Sequence, residues 1–315
     1  MQNEYSIAFS ISRSHLLFAM VTLYSLLKNN QKYTFNVYIL HDNCLKQKEI
    51  DNICNQFPLN QYNNLKINLV DVSNLTIIKQ LPNPNLLHHS WSKDIYFRLF
   101  LSVLLPNVDK ILYLDTDVLI RGDITDFFET DMGNNCFLGD ADISPVVVCS
   151  GVLLMNLKEL RNYNILKELT NEIMLNPTTT DQSFINKVYK NTIITTPPYY
   201  IFNTGILNKL KNDYTKIIHF TVPITKPYFS YGFKFKDLKQ KGIIEYFTYF
   251  EDFIEPKYKW KFKLEKLYIF YCREKLNSLR RRATRFYYKY ILKNRDFHFY
   301  IKNERIYKYA IIKKS

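Results

Sequence analysis

An α/β fold with a mostly parallel central sheet is predicted by two observations along the chain. Short apolar runs of strand length alternate with longer stretches whose apolar residues recur at helical spacing. One such run, Lys110-Ile111-Leu112-Tyr113-Leu114, ends in two carboxylates, Asp115 and Asp117. Open α/β sheets place their ligands outside the carboxyl ends of the strands.

The elements follow in order. Residues 5–11 read as a first strand, and Ser14 is placed to cap a helix over Leu16–Leu27. Thr34–Leu40 reads as a second strand, Leu45–Phe57 as a helix and Leu65–Val70 as a third strand. Lys93–Leu105 reads as a helix ended by Pro106. Ile111–Leu114 is the strand that feeds the carboxylates. Val146–Asn156 reads as a buried strand with a break at Gly151, followed by a helix over Lys158–Leu175. Asp181-Gln182 opens a short helix after Thr178-Thr179-Thr180, Pro197-Pro198 marks a loop, and Ile217–Phe220 is a short strand.

A chain of 315 residues with 47% hydrophobic content can build one large α/β domain and an appendage. The cysteines, Cys44, Cys54, Cys136, Cys149 and Cys272, are odd in number and form no C-x-x-C pair. That pattern points to reduced thiols in a cytosolic compartment rather than a disulfide framework or zinc cluster. The first residues lack a basic segment followed by a long apolar one, so neither a signal peptide nor a membrane span is expected. Neither G-x-G-x-x-G nor G-x-x-x-x-G-K-[ST] occurs.

The net charge of +14 is localised. Residues 257–315 hold 19 Lys and Arg against 4 Asp and Glu, whereas the rest holds 24 against 25. The nearly neutral body argues against nucleic acid as a partner. A soft boundary near Ile254 divides a domain over 1–253 from a basic, aromatic region over 254–315.

Residues i and i+2 of an extended segment point the same way, so Asp115 and Asp117 can grip one hard cation, and that cation can hold a diphosphate. Val118-Leu119-Ile120 follows and buries the pair. Burying two carboxylates without a counter-cation is costly.

The segment Lys110 to Asp123, KILYLDTDVLIRGD, resembles the metal-site segment of glycosyltransferase family 8, which includes bacterial lipopolysaccharide α-galactosyl- and α-glucosyltransferases and glycogenin. Further blocks fall in that family's order: Ser150 to Leu157 (SGVLLMNL), Asp181-Gln182, His219-Phe220-Thr221 and Lys226-Pro227-Tyr228. The resemblance runs from about Ile7 to Tyr228. It implies a GT-A fold, a UDP-hexose donor, Mn²⁺ or Mg²⁺, and transfer with retention of anomeric configuration. It makes Asp115, Asp117 and His219 the metal ligands, and two carboxylates with one imidazole suit Mn²⁺. Lys226 would contact the diphosphate, Arg98 the donor, and Ser10, Ser12 and Thr116 the nucleotide end of the site. Asp142, with Asp140 as its register alternative, and Asp181 would hydrogen-bond the donor sugar, and Gln182 would lie beneath the anomeric carbon. Taken singly, the alternatives are a helix-surface residue for Arg98, a loop carboxylate for Asp142, a helix cap for Asp181, a structural histidine for His219 and a solvated surface lysine for Lys226.

The chain departs from the family's pattern at several positions. Ser12 and Ser14 stand where an acidic residue and Asn are usual. Cys149 replaces the Asn before Ser150-Gly151, Ser183 follows the Asp-Gln pair, and Val222 stands where Gly is common. These departures keep a second reading open, a catalytically impaired sugar- or membrane-binding homologue.

The 254–315 region interleaves its charge with rings, as in Lys257 to Lys263 (KYKWKFK) and Arg280 to Tyr290 (RRRATRFYYKY). Basic residues on anionic headgroups with rings in the interface describe a membrane-docking segment. The resemblance and this region together imply a lipid-linked oligosaccharide acceptor, met at the inner face of a bacterial cytoplasmic membrane.

Overall fold

The computed structural model describes residues 4–55, 58–81, 92–141, 147–197, 200–204, 215–221, 242–254, 256, 259–260 and 263. The chain divides into two compact units, Met1–His219 and Phe220–Ser315. The composition boundary at Ile254 falls inside the second.

The first unit opens with strand β1 (Glu4–Ser10), helix α1 (Leu16–Asn29), strand β2 (Thr34–His41), helix α2 (Gln47–Cys54) and strand β3 (Leu65–Asp71). Strands β4 (Lys110–Leu114), β5 (Val118–Ile120), β6 (Phe137–Ala141) and β7 (Val148–Asn156) come next, with the short helix α4 (Thr125–Glu129) between β5 and β6. The short helix α3 (Leu101–Leu104) precedes β4. Helices α5 (Leu157–Leu160), α6 (Ile165–Leu175) and α7 (Asp181–Val188) lead to β8 (Ile193–Thr195), β9 (Ile201–Asn203) and β10 (Ile217–His219).

The large sheet has the order β3-β2-β1-β4-β7-β6-β8, and the small one β5-β10-β9. In the large sheet β1 runs parallel to both β2 and β4, while β7 is antiparallel to β4 and β6. The α/β class with a mostly parallel sheet therefore holds. Eight of the nine residues of β7 are buried, so its side chains are covered on both faces.

Helix α1 explains how the small sheet is anchored. Twelve of its fourteen residues are buried, which leaves no solvent face. Its polar residues are spaced to serve the free edge of β5. Thr22 Oγ1 donates to the carbonyls of Thr116 (3.1 Å) and Val118 (2.8 Å). Ser25 Oγ accepts from Ile120 N at 3.0 Å, and Asn29 Nδ2 donates to Ile120 O at 3.0 Å. A helix thus satisfies backbone groups that an edge strand would leave bare.

Several expected elements are corrected. Lys93–Leu105 is not one helix: residues Lys93–Phe100 form a 3-10 segment, and only α3 is α-helical. Tyr96 through Phe100 are consecutively buried, so the segment never presents an outer face that a regular amphipathic helix would require. The stretch Lys158–Leu175 is two helices, because the Asn164 side chain accepts from Lys167 N and starts α6 afresh. The N-cap of α1 is His15 and not Ser14, which sits in a 3-10 turn, Arg13–His15, with its hydroxyl 3.0 Å from that of Ser12. Gly151 does not break β7, which runs through it.

In the second unit, helix α8 (Ile243–Glu251) follows Gly242, whose φ of 74° lies in the left-handed region open to glycine. It buries Tyr246, with the Phe220 ring 5.8 Å away edge-on. Among the described residues no helix is long and apolar enough to cross a membrane.

Candidate metal centre

Asp115 follows directly on β4, and its backbone N–H donates to Gly151 O of β7 at 2.7 Å. The chain then turns, and Asp117 precedes β5. The two carboxylates therefore meet across a turn, not along an extended segment as the spacing suggested. β10 pairs antiparallel with β5 so that His219 faces Val118. That register sets the imidazole beside both acids. His219 Nε2 lies 3.6 Å from Asp115 Oδ2 and 3.6 Å from Asp117 Oδ1. One ligating atom from each residue falls within 4.8 Å of the others.

Space for this cluster depends on Gly151. A Cβ there would stand 2.1 Å from His219 Cε1, 2.4 Å from Nε2 and 2.6 Å from Asp115 Oδ2. A glycine inside an otherwise apolar strand marks close approach of another group to the backbone. The two carboxylates, the imidazole and the opening left by Gly151 fit a hard divalent cation such as Mn²⁺ or Mg²⁺.

Behind the cluster stands Arg98, 3% exposed. Its Nη2 donates to Asp115 Oδ1 at 2.9 Å, its Nε lies 3.1 Å from Asp181 Oδ2, and its Nη1 donates to Ser150 O. The guanidinium lies over the Tyr113 ring, 4.1 Å from its centroid, and the Tyr113 hydroxyl donates to Asp115 Oδ1 at 2.9 Å. Asp115 thus spends one oxygen on Arg98 and Tyr113 and turns the other to His219. Burial disfavours the charged guanidinium, but Asp115 and Asp181 outweigh it and hold the group above its usual range. Burial raises the Asp181 carboxyl, with Arg98 opposing. For His219, burial also works against charge. The Cys149 sulfur and the Asp115 and Asp117 carboxylates prevail, and hold the imidazole well above its ordinary value.

Helix α7 is bound to the backbone of β7 through its side chains. Thr180 caps it by accepting from Ser183 N at 3.1 Å. Gln182 Oε1 accepts from Ser150 N at 3.2 Å, and Asn186 holds both the N–H and the carbonyl of Val148 at 2.8 and 2.9 Å.

The expected residues divide clearly. Asp115, Asp117, His219, Arg98, Asp181 and Gln182 converge, and Thr116 contributes a carbonyl to the α1 anchor. Arg98 is buried in the site, not on a helix surface. Ser10 is buried at the end of β1, beside the Tyr113 hydroxyl. The Ser12 hydroxyl is engaged within its own turn, 2.8 Å from His15 Nδ1. Asp142 and Lys226 lie outside the described residues. Sequence reasoning passed over Tyr113 and misread Gly151, although a lone glycine in an apolar run was the available signal. A separate cavity of about 650 Å³, lined by Arg121, Phe127, Tyr200 and Lys216 among others, shares no lining residue with the cluster.

Residues 6–232 match the family model described as Glycosyl transferase family 8. The chain belongs to that family. The glycosyltransferase GlyE of Streptococcus pneumoniae serotype 4 (strain ATCC BAA-334 / TIGR4) is 35% identical over 107 residues, 31% of this chain and 25% of GlyE. A lipopolysaccharide 1,2-glucosyltransferase of Escherichia coli is 24% identical over 260 residues, 72% of this chain and 74% of that protein. A crystal structure of the galactosyltransferase LgtC with donor and acceptor sugar analogues superposes with a TM-score of 0.64 at 18% identity, covering 81% of this chain and 99% of that one. This match establishes the GT-A fold for the family-8 chain.

Proposed function

We propose that this family-8 protein is a metal-dependent retaining hexosyltransferase. It moves galactose or glucose from UDP-hexose to a lipid-linked saccharide in lipopolysaccharide or lipooligosaccharide core synthesis. The observation that carries the reading is the convergence of Asp115, Asp117 and His219 on one point beside the space that Gly151 leaves. An intact ligand set favours an enzyme over an impaired homologue.

A bound Mn²⁺ or Mg²⁺ supplies Lewis-acid neutralisation of the diphosphate. Asp115, Asp117 and His219 would hold it. Arg98 fixes the orientation of Asp115 and adds positive charge in a buried setting, where preorganised charge counts most. Asp142 and Asp181 would take the donor's hydroxyls, and Gln182 would stand beneath the anomeric carbon. Lys226 would follow the diphosphate as UDP leaves, with Ser10, Ser12 and Thr116 toward the nucleotide. Retention would follow from attack by the acceptor hydroxyl on the face that UDP vacates, its proton passing to the departing phosphate. The basic, aromatic 254–315 region would dock the protein on anionic lipid at the inner face of the cytoplasmic membrane, where such an acceptor resides.

A screen of UDP-sugars with Mn²⁺, read by UDP release, tests the reading. Slow hydrolysis of UDP-galactose or UDP-glucose is expected, accelerated by truncated lipooligosaccharide in anionic vesicles. Replacing Arg280, Arg281 and Arg282 by Gln is expected to reduce only the vesicle-dependent part. No turnover of any UDP-hexose would reject the enzyme, and equal vesicle rates would reject the docking.

A further inference from the structure

We propose that Cys149 is the positioning residue that selects the metal-binding tautomer of His219, an inference that rests on the metal-centre reading above. The Cys149 Sγ lies 3.5 Å from His219 Nδ1, on the opposite side of the ring from Nε2, which faces the two carboxylates. A neutral imidazole ligates through a nitrogen lone pair, so Nε2 is available only when the ring proton sits on Nδ1. That proton needs an acceptor. His219 is 4% exposed and Cys149 7%, so bulk water does not supply one. The thiol sulfur is the acceptor that the geometry provides, and Nδ1–H donates to it.

The sulfur is held in place from outside the cluster. Asn186 fixes the backbone of Val148 on one side of Cys149, and Gln182 fixes the N–H of Ser150 on the other. Three consecutive residues of β7 therefore serve the centre in different ways. Cys149 backs the imidazole, Ser150 receives Arg98 through its carbonyl, and Gly151 leaves room for the ring. Metal-bound histidines generally donate their second N–H to a carboxylate, carbonyl or water. A thiol is a weaker acceptor, which makes this centre softer in its hold on the ring and sensitive to the residue at position 149.

The test compares Cys149→Val, which removes the acceptor and places a somewhat larger apolar group there, with Cys149→Ser, which is close to cysteine in size and retains an acceptor. Mn²⁺ affinity is read by electron paramagnetic resonance, without substrate, and the hydrogen bond at Nδ1–H by proton and nitrogen NMR of the Mg²⁺-loaded protein. Asp117→Asn is the control for the centre itself. Cys149→Val is expected to weaken Mn²⁺ binding by about 10-fold, as loss of an outer partner does elsewhere, and to move the Nδ1–H resonance to that of an N–H without its acceptor. Cys149→Ser is expected to restore both. Mn²⁺ binding by Cys149→Val equal to that of the parent, or an unchanged Nδ1–H resonance, would overturn this assignment and leave the centre standing. A parent protein that binds no Mn²⁺, or binds it unchanged in Asp117→Asn, would overturn both.

Discussion

Gly151→Ala is expected to abolish divalent-cation binding. The added methyl would lie 2.1–2.6 Å from His219 and Asp115, well inside contact distance. Neither neighbour can yield cheaply. The His219 backbone is fixed by strand pairing with β5 and β9, and Asp115 is held by Arg98, Tyr113 and its own N–H on Gly151 O. Relief requires the imidazole to swing away or β7 to shift against β4, and either separates the ligand set. Overpacking of this kind costs about 1–3 kcal/mol of stability, which a two-state urea titration would detect. A variant that binds Mn²⁺ like the parent would show that the opening at Gly151 is not part of the centre.

Arg98→Met is expected to destabilise the fold strongly, by about 3–5 kcal/mol, because it strips the counter-cation from buried acids. Arg98 and Asp181 are both almost fully buried, and the guanidinium also serves Asp115 and the carbonyls of Ser150 and Ile95. Arg98→Lys should fail nearly as badly, since an ammonium cannot span acceptors arranged around a planar fork. The pH dependence has a definite sign. Burial already raises the Asp181 carboxyl with Arg98 opposing it, so removing Arg98 raises it further. A raised carboxyl is stable protonated and loses stability as pH rises through its folded value. The penalty of Arg98→Met is therefore largest at neutral pH and shrinks on acidification. Denaturant melts at neutral and mildly acidic pH check this; an equal penalty at both would refute the buried-charge explanation.

Much of the architecture was legible because β4 and β7 are nearly continuous apolar runs, and β2 and β3 alternate apolar with polar residues. β1 to β4 and the long β7 fall within a few residues of expectation. β6, β8 and β9 were not anticipated, since segments of three to five residues carry too little periodicity to separate from loop. The Lys93–Phe100 segment misled because its apolar content looked helical, whereas its unbroken burial around Arg98 is a tertiary fact. Asp115 and Asp117 were readable from local pattern. His219 was not, for its meeting with them depends on the β5–β10 register, which no local window contains. It entered through the ordered family blocks alone. Arg98 was named, yet its burial and its link between Asp115 and Asp181 are properties of the packed site.

The proposed role of Asp115, Asp117 and His219 is to hold together a cation that in turn holds the donor's diphosphate. Pulsed electron paramagnetic resonance of the Mn²⁺-loaded protein tests it most directly, because ligand nuclei are seen at the ion. The expected spectrum contains a directly bound nitrogen that disappears in His219→Gln, and a phosphorus coupling that appears on adding UDP. Asp117→Asn is expected to give neither at the same Mn²⁺ concentration. A spectrum of the parent protein without the nitrogen, or one that His219→Gln leaves unchanged, would contradict the claim.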